Sequence, residues 1–253
     1  MIVFSQKGTG QPLILIHGFC ESKEMWKTFS EHLSTIYQVF CPDLPGFGES
    51  PLDPTQISLE EVAVWLQEWM EENHIQKPIV IGHSLGGYVT LALAELIGTE
   101  LKGIGLFHSS ALPYDEEKKK TRNKTIDFVK KHGVDKFIES FVPPLFSERH
   151  QIEHTEKIEE LIALGKKSSK KGVLAFIAAM RDRKDRFEVW KTFQGPKLMI
   201  AGELDGAVKI EASRLHKPFS SHYYELKRVG HMGMFEAEKK SLQLVSTFLD
   251  KIE

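Results

Sequence analysis

The sequence predicts an α/β protein: a mostly parallel sheet flanked by helices and interrupted by one helical insertion. Short runs rich in Ile, Val, Leu and Phe alternate with segments of helical periodicity, as in repeated strand–helix–strand units with right-handed crossovers. The apolar runs lack the in–out alternation of a half-solvated strand, so both faces must be covered, as in parallel sheets. Between about Ala111 and Trp190 the alternation stops, and the pattern becomes helical with no convincing strand.

In chain order, Met1–Phe4 is expected to be an antiparallel partner, followed by the turn signal Gly8-Thr-Gly10 and a buried strand at Leu13–Ile16. Ser22–Leu33 reads as a helix and Tyr37–Cys41 as a strand. Ser58 opens the next helix, Ser58–Asn73, with Glu61 three residues on, the pattern of a capping box. Trp65 and Trp69 fall four apart and face inward. Pro78–Gly82 and Leu101–Phe107 are strands around a helix at Gly86–Ile97. Lys197–Ala201 and His222–Leu226 are the last two strands before a final helix. The expected organisation is a core of residues 1–110 and 191–253 with a helical cap, 111–190, inserted between them. The lysine clusters Lys118–Lys120 and Lys166–Lys171 read as solvated faces of that cap.

Composition bounds the function. A chain of 253 residues buries enough surface to need no disulfide or metal. Lys and Arg number 33 against 35 Asp and Glu, so no basic field points to nucleic acid. Cys20 and Cys41 are the only cysteines, which excludes a disulfide framework and most cysteine zinc sites. The apolar start is too short for a signal peptide, and no run approaches the ~18 residues of a membrane span. The expectation is a cytoplasmic protein with no cofactor, no metal, and no nucleic-acid or membrane partner; its oligomeric state is open.

Chemistry concentrates at Gly82-His-Ser-Leu-Gly86, where an apolar strand runs straight into an apolar helix. G-x-S-x-G is meaningful in that context, because a sharp strand-to-helix turn exposes the serine at the carboxyl edge of the sheet. Side chains at positions 82 and 86 would collide with the neighbouring strand and helix. Ser84 is therefore the candidate nucleophile, and it needs a base. Of eleven histidines, His231 in Val229-Gly-His-Met-Gly-Met-Phe-Glu236 follows a strand and can overhang the sheet edge. His83 points away from Ser84 by strand alternation, His17 belongs to the loop after Leu13–Ile16, and His108 ends a strand from which it could reach the site rim, though a structural role suits it better. The other histidines lie on helices or in loops without supporting context. Asp205, after Lys197–Ala201, reaches farther toward His231 than Glu203 and serves as its acceptor; Asp43 orders its own loop. The backbone N–H groups of Leu85 and Phe19, the latter in His17-Gly-Phe-Cys20, would hold an oxyanion.

His17-Gly18-Phe19, Asp43-Leu-Pro-Gly-Phe-Gly-Glu-Ser50, Gly82-His-Ser-Leu-Gly-Gly87, Asp205 and Gly230-His231 together resemble the α/β-hydrolase superfamily, in its serine-nucleophile branch with a helical cap. The resemblance implies a sheet of about eight strands with one antiparallel member, and attack on carbonyl carbons. A serine at position 84 sets aside the relatives that use an aspartate nucleophile. The expected activity is cleavage of small to medium carboxylic esters through an acyl-enzyme. The alternatives are C–C bond hydrolysis of vinylogous diketones, lactone or thioester cleavage, and a small-molecule sensor built on the same fold. Phe128, Phe137, Phe141, Phe146, Phe176, Met180 and Trp190 could roof the site, with all but Phe137 and Trp190 taken as the candidate substrate pocket. Arg181, Arg183 and Arg186 could meet a substrate carboxylate or form surface salt bridges.

Overall fold

A computed structural model describes residues 1–252. The strands are β1 (Phe4–Lys7), β2 (Pro12–Ile16), β3 (Gln38–Pro42), β4 (Ile79–His83), β5 (Gly103–Phe107), β6 (Lys197–Gly202) and β7 (His222–Leu226). They form one seven-stranded sheet in the order β1-β3-β2-β4-β5-β6-β7, parallel except for β1. The expected eighth strand is not among the described residues, and the antiparallel strand differs from expectation in range and partner. It begins at Phe4 and pairs with β3, Phe4 opposite Pro42 and Lys7 opposite Val39. Both edges of β2 are already taken by parallel neighbours, β3 and β4, so an antiparallel strand has no place beside it.

Outside the insertion the helices are α1 (Lys27–Leu33), α2 (Leu59–Glu72), α3 (Leu85–Ile97), α9 (Ile210–Arg214), α10 (Gly233–Glu236) and α11 (Glu238–Leu249). Ser58 caps α2 through a complete capping box with Glu61. Trp69 from α2 is buried edge-on against Phe4 at 5.2 Å, while Trp65 is half-buried. Strands β4, β5 and β6 are buried along their full length, as their unbroken apolar runs require.

From β2 the chain crosses to β3 on one side and to β4 on the other, so the strand order switches direction there. Such a switch point leaves a crevice at the carboxyl ends of the strands, where ligands bind in open α/β sheets. Ile16 pairs with Gly82 in register, which sets the loop after β2 beside the turn after β4.

Between β5 and β6 lie α4 (Glu116–Phe141), α5 (Glu148–Glu153), α6 (Thr155–Gly165), α7 (Lys170–Arg181) and α8 (Phe187–Thr192). Among the described residues this insertion contains no strand. Its longest helix is broken at Gly133, whose φ of 87° no helix interior accommodates, and α7 packs along it. No helix among the described residues is long and apolar enough to cross a membrane.

Candidate active site

At the turn from β4 to α3, Ser84 has φ 50° and ψ −113°, a conformation side chains avoid and one that stores roughly 1–3 kcal/mol. The surroundings over-determine it. Ser84 N–H donates to Phe107 C=O at 3.0 Å, and its own C=O accepts from Ser109 Oγ at 2.7 Å. The glycines on either side are demanded by contact: a Cβ at Gly82 would sit 2.1 Å from Gly86 C, and one at Gly86 would sit 2.4 Å from Ile16 O. Ser84 stays half-buried while its neighbours are fully buried.

The loop after β2 is fixed by its own polar groups. Leu44 N–H donates to His17 Nε2 at 2.8 Å, so the ring proton is on Nδ1 and goes to Gly18 C=O at 2.7 Å. Burial lowers the His17 pKa, which keeps that ring neutral. Among the described residues, the N–H groups of Phe19 and Leu85 donate to no protein acceptor.

Asp205 and His231 meet as the sequence suggests, with His231 Nδ1 donating to Asp205 Oδ2 at 2.8 Å. The other carboxylate oxygen accepts Ala207 N–H and Val208 N–H, each at 2.8 Å. Burial pushes the Asp205 carboxyl up, but His231 and His108 outweigh it and hold it well below the usual carboxylate range. Burial likewise pushes His231 down, yet Asp205 wins and the imidazole pKa is raised. Ser84 Oγ shares no hydrogen bond with either partner, and His231 Nε2 is without one among the described residues.

Three contacts escape sequence reasoning. His108 Nδ1 donates to the same Asp205 oxygen at 3.2 Å, leaving its Nε2 buried without a partner. Glu21 Oε2 accepts Gly18 N–H at 2.6 Å and faces His83 Nδ1 at 3.1 Å, while His83 Nε2 donates to His231 C=O at 3.0 Å. That chain joins the loop after β2, the serine turn and the His231 loop. Glu236 ties the His231 loop to the insertion. Its Oε2 accepts Gly230 N–H at 2.9 Å and Ser147 N–H at 3.0 Å, its Oε1 accepts Met232 N–H at 3.0 Å, and His231 N–H donates to Leu145 C=O at 2.7 Å. The position of His108 at a strand end was a usable signal. For Glu21 and Glu236 none exists, because only folding shows which acid turns inward.

His108, Asp205 and His231 also form a cluster whose potential metal-ligand atoms lie within 4.8 Å of one another. Both Nδ1 protons are committed to the carboxylate, so a cation there would have to displace them. Asp43 accepts Glu49 N–H from its own loop at 3.0 Å and pairs with Lys23 at 2.8 Å, while Glu203 accepts Arg228 N–H at 2.8 Å. Cys20 and Cys41 are free and buried, and burial pushes the Cys41 thiol up to about 12.

The expected roof is brought together only in part. Phe141 and Phe137 stack at 5.0 Å, with Phe19 edge-on to Phe141 at 5.7 Å. Phe176 lies 5.0 Å from Phe47, which meets Phe19 at 5.7 Å. Phe146 and Met180 are buried within the packing. Phe128 is not brought to the site: it is 38% exposed and covers His132, one turn along on the outer face of α4. Trp190 is fully buried and donates to His216 C=O at 3.3 Å. Of the three arginines, Arg181 pairs with Asp182, and Arg186 with Glu60 and Glu95. Arg183 has no carboxylate partner among the described residues; it stacks on Tyr88 and Tyr114 instead.

A family model described as the alpha/beta hydrolase fold matches residues 11–238. The chain belongs to the α/β-hydrolase fold family. Its sequence is 25% identical over 256 residues to Lipase 3 of a Moraxella strain, covering 97% of this chain and 79% of that protein. It is 26% identical to the dihydrolipoyllysine-residue acetyltransferase component of the acetoin cleaving system of Pseudomonas putida, spanning 64% of that protein's length. A malate-bound esterase from Thermogutta terrifontis superposes with a TM-score of 0.93 at 29% identity, covering 99% of this chain and 93% of that one. Like these esterase and lipase relatives, the α/β-hydrolase described here is a hydrolase.

Proposed function

We propose that this hydrolase cleaves small to medium carboxylic esters through an acyl-enzyme on Ser84, with His231 as base, Asp205 as its acceptor and residues 111–190 as a cap. The observation that carries this reading is the 2.8 Å hydrogen bond from His231 Nδ1 to Asp205, which leaves Nε2 bare at the sheet edge that also presents the strained Ser84. Nε2 takes the Ser84 proton as Oγ attacks the ester carbonyl. The oxyanion rests on the unpartnered N–H groups of Phe19 and Leu85. Collapse expels the alkoxide, which His231 protonates, and a water deprotonated by the same ring releases the acid. The esterase and lipase names of relatives matching nearly the full chain support the reaction class.

A fluorophosphonate probe tests the nucleophile. It should label one peptide, the one containing Ser84, and Ser84→Ala should lose both the label and p-nitrophenyl butyrate hydrolysis, by roughly 10⁴-fold or more. Hydrolysis retained in that variant removes the assignment. A vinylogous diketone run beside the ester separates C–C cleavage from ester cleavage.

A further inference from the structure

We propose that Arg122 and Tyr114, buttressed by Arg183, form a subsite for a substrate carboxylate, so that the preferred esters carry a second, ionised acid group. The proposal rests on the ester reading above and names its substrate class.

The argument starts from charge without a counter-charge. Arg149, Arg181, Arg186 and Arg214 each pair with a carboxylate. Arg122 does not: its Nη2 donates to Tyr114 Oη at 2.7 Å, and among the described residues its other guanidinium N–H groups meet no acceptor. Arg183 is only 8% exposed, and its guanidinium lies 4.1 Å from the Tyr88 ring centre and 3.7 Å from that of Tyr114. Its N–H groups reach only the carbonyls of Met180 and Leu112, and its Nε is buried without a partner. Two guanidinium groups thus flank one phenol with no acid between them. Burying cations this way is unfavourable until an anion joins them. The phenol already responds: burial pushes the Tyr114 pKa up, yet Arg122 and Arg183 prevail and bring it to about 8.

The cluster also lies where a substrate would be. Tyr88 lies in the first turn of α3, four residues after Ser84, and its N–H donates to the Ser84 C=O at 3.4 Å. Tyr114 is close enough to His231 for its charge to act on that ring, after Asp205, and Arg122 is close enough to Cys20 to oppose, without reversing, the rise that burial imposes on that thiol. A cavity of about 320 Å³ opens along Tyr88, Tyr114, Lys118, Arg183 and the Ala207–Val208 turn that holds Asp205, with Asp115 and Glu211 also in its lining; Arg122 stands outside that lining and joins it through its hydrogen bond to Tyr114 Oη. A planar guanidinium with unused N–H groups matches a carboxylate in a two-point contact, with the Tyr114 hydroxyl as a third donor.

Calorimetric titration of the Ser84→Ala protein with glutarate reads the subsite without turnover. Saturable binding is expected, at least tenfold weaker when Arg122→Gln is added and partly restored by Arg122→Lys. In the active enzyme, the ratio of kcat/KM for a monoester of glutaric acid over the matching butyrate ester should fall at least tenfold in Arg122→Gln. Absent glutarate binding, binding indifferent to Arg122→Gln, or an unchanged ratio overturns the subsite. Glutarate binding that depends on Arg122 in a protein that hydrolyses neither ester upholds the subsite and removes the esterase reading instead.

Discussion

The sheet edge and the insertion above it are built on different rules. At the edge, buried polar groups are matched to one another with the exception of His108 Nε2: Asp205 receives two histidines and two backbone N–H groups, and His17, Glu21 and His83 each bridge two positions. The roof is largely aromatic, with Phe137, Phe141 and Phe176 meeting Phe19 and Phe47, and its polar part is the unmatched Tyr114–Arg122–Arg183 group. Hydrogen-bonded networks fix positions closely and tolerate little change, whereas apolar contact is non-directional and can be repacked. On the proposed reading the edge performs the reaction and the insertion selects what undergoes it.

Substitutions at the edge should lower kcat, and those in the roof should act on KM. The largest effect is expected from Asp205→Asn. It removes the acceptor that sets the His231 tautomer, and kcat should fall on the order of 10³–10⁴-fold with a smaller change in KM. A mainly KM-borne loss would break the contrast. Acid comes next. His231 must be neutral to act as base, and its pKa is raised above the ordinary 6.5, so activity should fall as pH drops through a midpoint above 6.5. Below that midpoint the loss approaches about tenfold per pH unit, and the residual activity of Asp205→Asn should show the midpoint displaced downward. A midpoint below 6.5 in the native enzyme would contradict the coupling. The smallest effect belongs to the roof: Phe141→Ala should raise KM for a butyrate ester by about three- to tenfold and leave kcat within about twofold.

The same division explains what could be read from the residues. Strands β4, β5 and β6 announce themselves because full burial demands unbroken apolar runs, and the serine turn does so because Gly82 and Gly86 have no alternative at contacts this close. Asp205 and His231 were legible as residues just past strand ends, a placement that topology enforces. The partner of β1 was not, because strand pairing depends on which edges remain free. Glu21 and Glu236 were missed for a related reason: a buried polar side chain looks like an exposed one until its partners from distant segments are known. Phe128 shows the converse, since one helix carries aromatic residues on both its faces and periodicity alone did not say which face was covered.

Glu236 and the carbonyl of Leu145 give the insertion a second office. The His231 loop is held by the same hydrogen bonds that fasten the Leu145–Ser147 corner to the core. Were that corner displaced, the His231 N–H would lose its acceptor, and Glu236 Oε2 would lose Ser147 N–H while keeping Gly230 N–H. The Leu145–Ser147 corner is therefore a fixed post for the His231 loop, and a change that loosens it reaches His231 as well as the insertion.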